Sequence, residues 1–115
     1  PDIVIVAALE HEIRPLIRNW SRKTFSHEGR QFTAYESNYA VAICSGIGPE
    51  AGRRAAQAAI VTYAPRLLIT AGIAGALVPE LKTGETIFPA VVIDAGDSSR
   101  HQTAIQQAPI AQSPL

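Results

Sequence analysis

A single cysteine, Cys44, stands in the 115 residues. No disulfide can close within the chain, and the apolar setting AVAICSG suits a reduced, buried thiol. Net charge is also missing, because ten Lys and Arg balance ten Asp and Glu. That balance removes the electrostatic drive toward nucleic acid or an anionic membrane surface. No apolar run approaches the ~18 residues of a spanning helix. The opening PDIVIVAALEHE has no basic stretch and turns acidic where a signal peptide would stay apolar. A cytoplasmic protein with no nucleic-acid or membrane partner is the expectation. His11, His27 and His101 have no metal-ligand spacing with Cys44, and HEIRP is not HExxH. CSGIGP is not the GxSxG of a serine hydrolase. What is present is globular: 47% hydrophobic and 17% charged residues, in a chain long enough to bury about two-thirds of its extended surface.

Asp2 to Ala8 (DIVIVAA) reads as a fully buried strand of a parallel sheet. From Leu9 the period changes. Leu9, Ile13, Leu16, Ile17 and Trp20 would line one face of a helix, which Pro15 delays to near Arg14 or kinks. Alternation over Gln31–Glu36, a turn at Asn38 and the run Tyr39–Cys44 predict a hairpin. SGIGPEAG then opens a helix from Pro49 to about Tyr63, with Ala51, Ala55, Ala58, Ala59 and Tyr63 as its packing stripe. Pro65 ends it, and Arg66–Ala71 is another buried strand. Thr86–Ile93 reads as a strand interrupted by Pro89. Beyond Asp94 the periodicity is weak and no closing element is expected. The order predicts a three-layer α/β fold with a mixed, mostly parallel central sheet flanked by helices. Its helices call for a larger sheet than these strands supply, so the domain looks truncated.

The strongest local signal for chemistry is Gly46-Ile47-Gly48 between a strand and a helix N-terminus, where orphan N–H groups and the helix dipole favour an anion. It has neither GxGxxG nor P-loop spacing, and simple turn geometry is the competing explanation. Glu10 and Glu12 follow the C-terminal end of the first strand, where ligands of open α/β sheets gather. A carboxylate there can bind a hydroxyl or activate water. Ordinary acidic capping of the next helix explains the same residues. Gly72 and Gly75, at another strand exit, leave backbone N–H groups open to a ligand. His27 and His101 read as surface residues.

Three blocks, IVIVAALEHEI, CSGIGPEAGRRAA and LLITAGIAGALVPELKTGE, resemble the purine and uridine phosphorylase superfamily in order and spacing. They look most like its 5′-methylthioadenosine/S-adenosylhomocysteine nucleosidases. The resemblance implies an N-terminal half of such a domain over residues 1–95, then a polar connecting segment, 96–115, leading to an absent C-terminal half. It implies cleavage of a purine nucleoside's N-glycosidic bond by water that Glu12 holds and activates. It places Ala8 and the loop Gly46, Ile47, Gly48 beside the ribose. The strand-end loop Ala71, Gly72, Ile73, Ala74, Gly75 lines the ribosyl and nucleobase site. The implied partners are a small-molecule nucleoside and further copies of the chain, as a homodimer or larger ring, with no cofactor and no metal. Two positions depart from the pattern: Ile73 stands where hydrolases carry serine, and Thr70 where phosphorylases carry a phosphate-gripping arginine. The missing arginine favours hydrolysis over the alternative, a phosphate-dependent phosphorylase, whereas Ile73 removes a hydroxyl contact, and both departures leave room for a non-catalytic nucleoside-binding module. The family's Met-Glu pair and its base-protonating Asp lie beyond the matching blocks, so the 115 residues alone are expected to be inactive.

Overall fold

A computed structural model describes residues 1–104 of the chain. Contacts divide it into two compact units, Pro1–Ala74 and a second that begins at Gly75. In the first unit, β1 (Ile3–Ala7), α1 (Glu10–Ile17), β2 (Ser21–His27), β3 (Arg30–Glu36), β4 (Ala40–Cys44), α2 (Pro49–Tyr63) and β5 (Leu67–Ala71) follow one another. The five strands form one mixed sheet in the order β2-β3-β4-β1-β5. Both neighbours of β1 run parallel to it, while β2-β3 and β3-β4 are antiparallel.

Alternation along β1 sets the layers. Val4 and Val6 point to one face, where Val41, Ile43, Phe32, Ala34 and the helix residues Ala55, Ala58 and Ala59 complete a core. Ala7 points to the other face and packs with Ala42, Tyr35 and the α1 residues Ile13 and Ile17. The sheet therefore lies between α1 and α2, and the expected three-layer α/β arrangement is what the chain adopts. Three alanines of α2 reach 0% exposure, because methyl side chains let the helix axis lie close to the sheet. Gly48 at φ +102° and Pro49 in the first turn start α2. Ala64 in the left-handed region returns its N–H to the Ile60 carbonyl at 3.0 Å and ends it.

Several expectations need correction. The first helix begins at Glu10, not near Arg14, and stops at Ile17, so Trp20 lies beyond it. Trp20 still packs against the α1 side of the sheet, edge-on to Tyr39 at 5.8 Å. Leu9 and Leu16 are exposed rather than part of the buried stripe. β2 escaped notice because SRKTFSH carries one apolar side chain, Phe25, which stacks on Phe32 at 5.4 Å. Its partner strand follows a tight turn in which Glu28 and Gly29 both have positive φ, the backbone of a two-residue hairpin. The predicted β3-β4 hairpin is present. Ser37 closes it, its Oγ accepting the Ala40 N–H at 3.1 Å.

The second unit holds β6 (Val91–Ile93) and β7 (Arg100–Gln102), paired antiparallel. The expected strand from Thr86 shrinks to three residues after Pro89, whose ring removes a ladder donor. β7 was unexpected in a polar stretch. The Pro89 carbonyl accepts the Thr103 hydroxyl at 2.6 Å, and the Asp94 carboxylate accepts the Gly96 N–H at 2.8 Å to shape the intervening turn. The remainder of the expected polar segment, residues 105–115, lies outside the described residues. Among those described, no helix is long and apolar enough to cross a membrane.

Ile43 is fully enclosed in the α2-side core, whereas Ile60 on α2 is 54% exposed. Replacing Ile43 by alanine should cost about 2–5 kcal/mol of unfolding free energy in urea titrations. The same change at Ile60 should move it by no more than about 0.5 kcal/mol.

Candidate active site at the strand ends

Ala7 is in register with Cys44 on one side and with Ala71 on the other. Three parallel strands therefore stop at one level, and the loops that leave them meet there. The loop after β4 is tied to that after β1: Ser45 N–H donates to the Ala7 carbonyl at 2.8 Å and Gly46 N–H to the Ala8 carbonyl at 2.9 Å. Gly46, at φ +86°, turns the chain toward α2. No side-chain cap covers the first-turn N–H groups of α2, and Ile47 between the two glycines is 78% exposed.

Glu12 joins the first loop to the third. It occupies the third position of α1, and its Oε1 accepts the Leu9 N–H at 2.9 Å, half of the reciprocal bonding that starts many helices. Its other oxygen, Oε2, accepts the Ile73 N–H at 3.2 Å across 61 residues of sequence. Glu12 thus caps the helix, as the competing explanation expects, and does so from a position at the strand ends. An ionised carboxylate has about four acceptor positions, so two remain after these bonds. A water molecule can be held there while the two N–H donors fix the carboxylate plane. Gly72 allows this approach, since a Cβ at that position would stand 3.2 Å from Glu12 Oε2.

Glu10 and His11 are exposed on the first turn of α1. Cys44 is half-buried beneath the same loops. Burial raises its thiol pKa above the ordinary value, and the Glu10 and Glu12 carboxylates push in the same direction. Such a thiol stays protonated and is a poor nucleophile near neutral pH.

Of the residues expected at the site, Ala8, Gly46, Ile47, Gly48, Gly72, Ile73 and Ala74 fall on these three converging loops, Ala71 ends β5 and Glu12 stands on the first turn of α1. Gly75 opens the second unit. The Ile73 side chain is 59% exposed, and its backbone rather than its side chain engages Glu12. The Leu9 and Ile73 N–H donors escaped the sequence, which shows side chains and not amide directions. A glutamate three residues after Leu9, in the first turn of the next helix, was the one available signal for the Leu9 contact. His101 is exposed, as expected, but His27 is mostly covered, with its side chain at 19% exposure. Among the described residues no group of His, Cys, Asp and Glu gathers in a way that could hold a metal ion.

Comparison with known proteins identifies the family and the fold. Residues 2–115 match the family model described as the phosphorylase superfamily. Among curated proteins no relative matches the chain. A 5′-methylthioadenosine/S-adenosylhomocysteine nucleosidase from Colwellia psychrerythraea, solved with adenine, is 27% identical with a TM-score of 0.60, over 71% of this chain and 35% of that one. The nucleosidase of Campylobacter jejuni is 26% identical with a TM-score of 0.56, over 72% and 38%. A futalosine hydrolase mutant of Helicobacter pylori, 21% identical with a TM-score of 0.57 over 71% and 39%, shares the fold. The chain thus spans between a third and two-fifths of each of these structures.

Alkylation of Cys44 by iodoacetamide should rise with pH around a midpoint above that of an unperturbed thiol. Glu10→Gln removes a negative charge that opposes the thiolate, so it should move the midpoint to lower pH. An unchanged midpoint would separate Glu10 from the thiol.

Proposed function

This chain belongs to the phosphorylase superfamily, and from that premise we propose that the intact protein hydrolyses the N-glycosidic bond of a purine nucleoside of the 5′-methylthioadenosine/S-adenosylhomocysteine kind. The observation that carries the reading is the Glu12 carboxylate, fixed by the Leu9 and Ile73 N–H groups where β1, β4 and β5 end. The nucleosidase likeness of two structures above 25% identity supports the substrate class.

In this reading the purine leaves with the electron pair of the C–N bond, and positive charge develops on the ribosyl ring. Water held at the free acceptor positions of Glu12 attacks the anomeric carbon and gives its proton to the carboxylate. The products are the free base and the reducing sugar. Glu12 serves as general base and as an electrostatic partner of the ring cation. The proton taken up by the departing base comes from outside these residues. Gly46, Ile47 and Gly48 lie beside the ribose, with Ala8 below them and Ala71, Gly72, Ile73 and Ala74 toward the ribosyl and base end. Thr70 supports water over phosphate as nucleophile, because no guanidinium stands at that position. Ile73 supplies no hydroxyl to help hold the water, so Glu12 carries that task with its backbone-fixed geometry. The reading includes a homo-oligomer in the cytoplasm, and residues beyond 95 lead toward the other half of the domain.

Glu12→Gln keeps the acceptor for Leu9 on one atom and removes the base. In the intact protein it should reduce adenine release about 10²- to 10⁴-fold, with an unchanged circular dichroism spectrum. Undiminished release would defeat the assignment of Glu12.

A further inference from the structure

A second cluster of charge lies on the α2 face of the sheet, and the nucleoside reading makes no use of it. The tight turn at Glu28 and Gly29 places His27 and Arg30 opposite each other as register partners. They face Arg53, Arg54 and Gln57 of α2 across a cleft of about 140 Å³ floored by Phe32. The sequence offers no hint of this assembly, since 23 residues separate Arg30 from Arg53.

Two arginines of the cleft wall already hold an oxyanion of the chain itself, the exposed Glu50 beside the cleft. Glu50 accepts from Arg53 through both carboxylate oxygens, one bond being Arg53 Nε to Oε2 at 3.1 Å, and Arg54 Nε stands 3.3 Å from Oε1. Two guanidiniums thus converge on one carboxylate. Hydrogen bonding from Arg53 lowers the Glu50 pKa, and the field of Arg30 on the hairpin contributes in the same direction. Glu28 in turn favours the charged form of Arg53. Hairpin tip and helix therefore act on each other electrically. Three guanidiniums meet two carboxylates, and the balance is positive even with His27 neutral.

Planar guanidiniums suit tetrahedral oxyanions, which take parallel N–H bonds from the fork. The volume is below the ~300 Å³ at which pockets for whole small molecules begin. It admits a phosphate group and leaves any organic remainder in solvent. We propose that the cleft between the β2-β3 turn and α2 is a phosphate-binding site, in which Arg30, Arg53 and Arg54 hold the dianion and Glu50 is the internal competitor that it displaces. The ligand is either inorganic phosphate or the terminal phosphate of a small phosphomonoester, and the site is separate from the strand-end loops.

Isothermal titration of the full chain with inorganic phosphate, and separately with glycerol 1-phosphate, a phosphomonoester that carries no nucleoside for the strand-end loops, tests the proposal. Saturable binding is expected. Equal affinity identifies the bare phosphate group as the ligand, and tighter glycerol 1-phosphate binding identifies a phosphomonoester. The double change Arg30→Gln with Arg54→Gln should weaken binding about tenfold or more. Glu50→Gln should tighten it, because it frees two guanidiniums, and this opposite sign cannot come from a folding defect. Absence of saturable binding, or an affinity unmoved by either variant, would overturn the proposal. The latter result would place the phosphate elsewhere, at the Gly46–Gly48 loop.

Discussion

The parallel pairing of β1 with β4 and β5 is the constraint on which the rest of the structure depends. Because Ala7, Cys44 and Ala71 share one level, three loops leave the sheet together and Glu12 can reach across to Ile73. A shift of one residue in either register would turn every β1 side chain to the opposite layer relative to its neighbour. Val4, Val6, Val41 and Ile43 would then lose the alanine face of α2. The same alternation that builds the two cores thus sets the height of the candidate site.

Glycine and alanine do much of the positioning around Glu12. Gly72 keeps Cβ density away from the carboxylate, and Gly46 makes a turn that other residues resist. With both oxygens of Glu12 held by backbone donors, its plane is fixed by the fold itself. Such preorganisation is where electrostatic catalysis gains most, since nothing needs to reorient as charge develops. The basic cleft at the hairpin tip works by other means, with long side chains converging on exposed carboxylate rather than short ones clearing space.

Much of the fold was legible because several signals agreed. For α2, Gly48, Pro49, the alanine stripe and Pro65 all specify the same helix, and its bounds match expectation. β1 announces itself as a short β-branched run, while β5 was legible as a strand but, at the edge of the sheet, is half-buried rather than the buried strand expected. β2 did not announce itself, since a strand at the sheet edge with one large apolar side chain has no alternation to display. Pro15 misled in the other direction. It suggested a late start for α1, yet the helix starts at Glu10, where Glu12 holds the N-terminus, and ends two residues after the proline. At the site, Glu12 and the glycine loops were visible by residue type and place. The amide donors that orient Glu12, and the meeting of Arg30 with Arg53 and Arg54, follow from strand register and a two-residue turn. Neither leaves a mark in local composition.

The proposed attack of water, not phosphate, on the nucleoside at Glu12 is tested most directly by measuring adenine release from 5′-methylthioadenosine by the intact protein in buffers with and without inorganic phosphate. Hydrolysis predicts release at the same rate in both, with the free reducing sugar as co-product. Release that requires phosphate and yields a ribosyl 1-phosphate would contradict it.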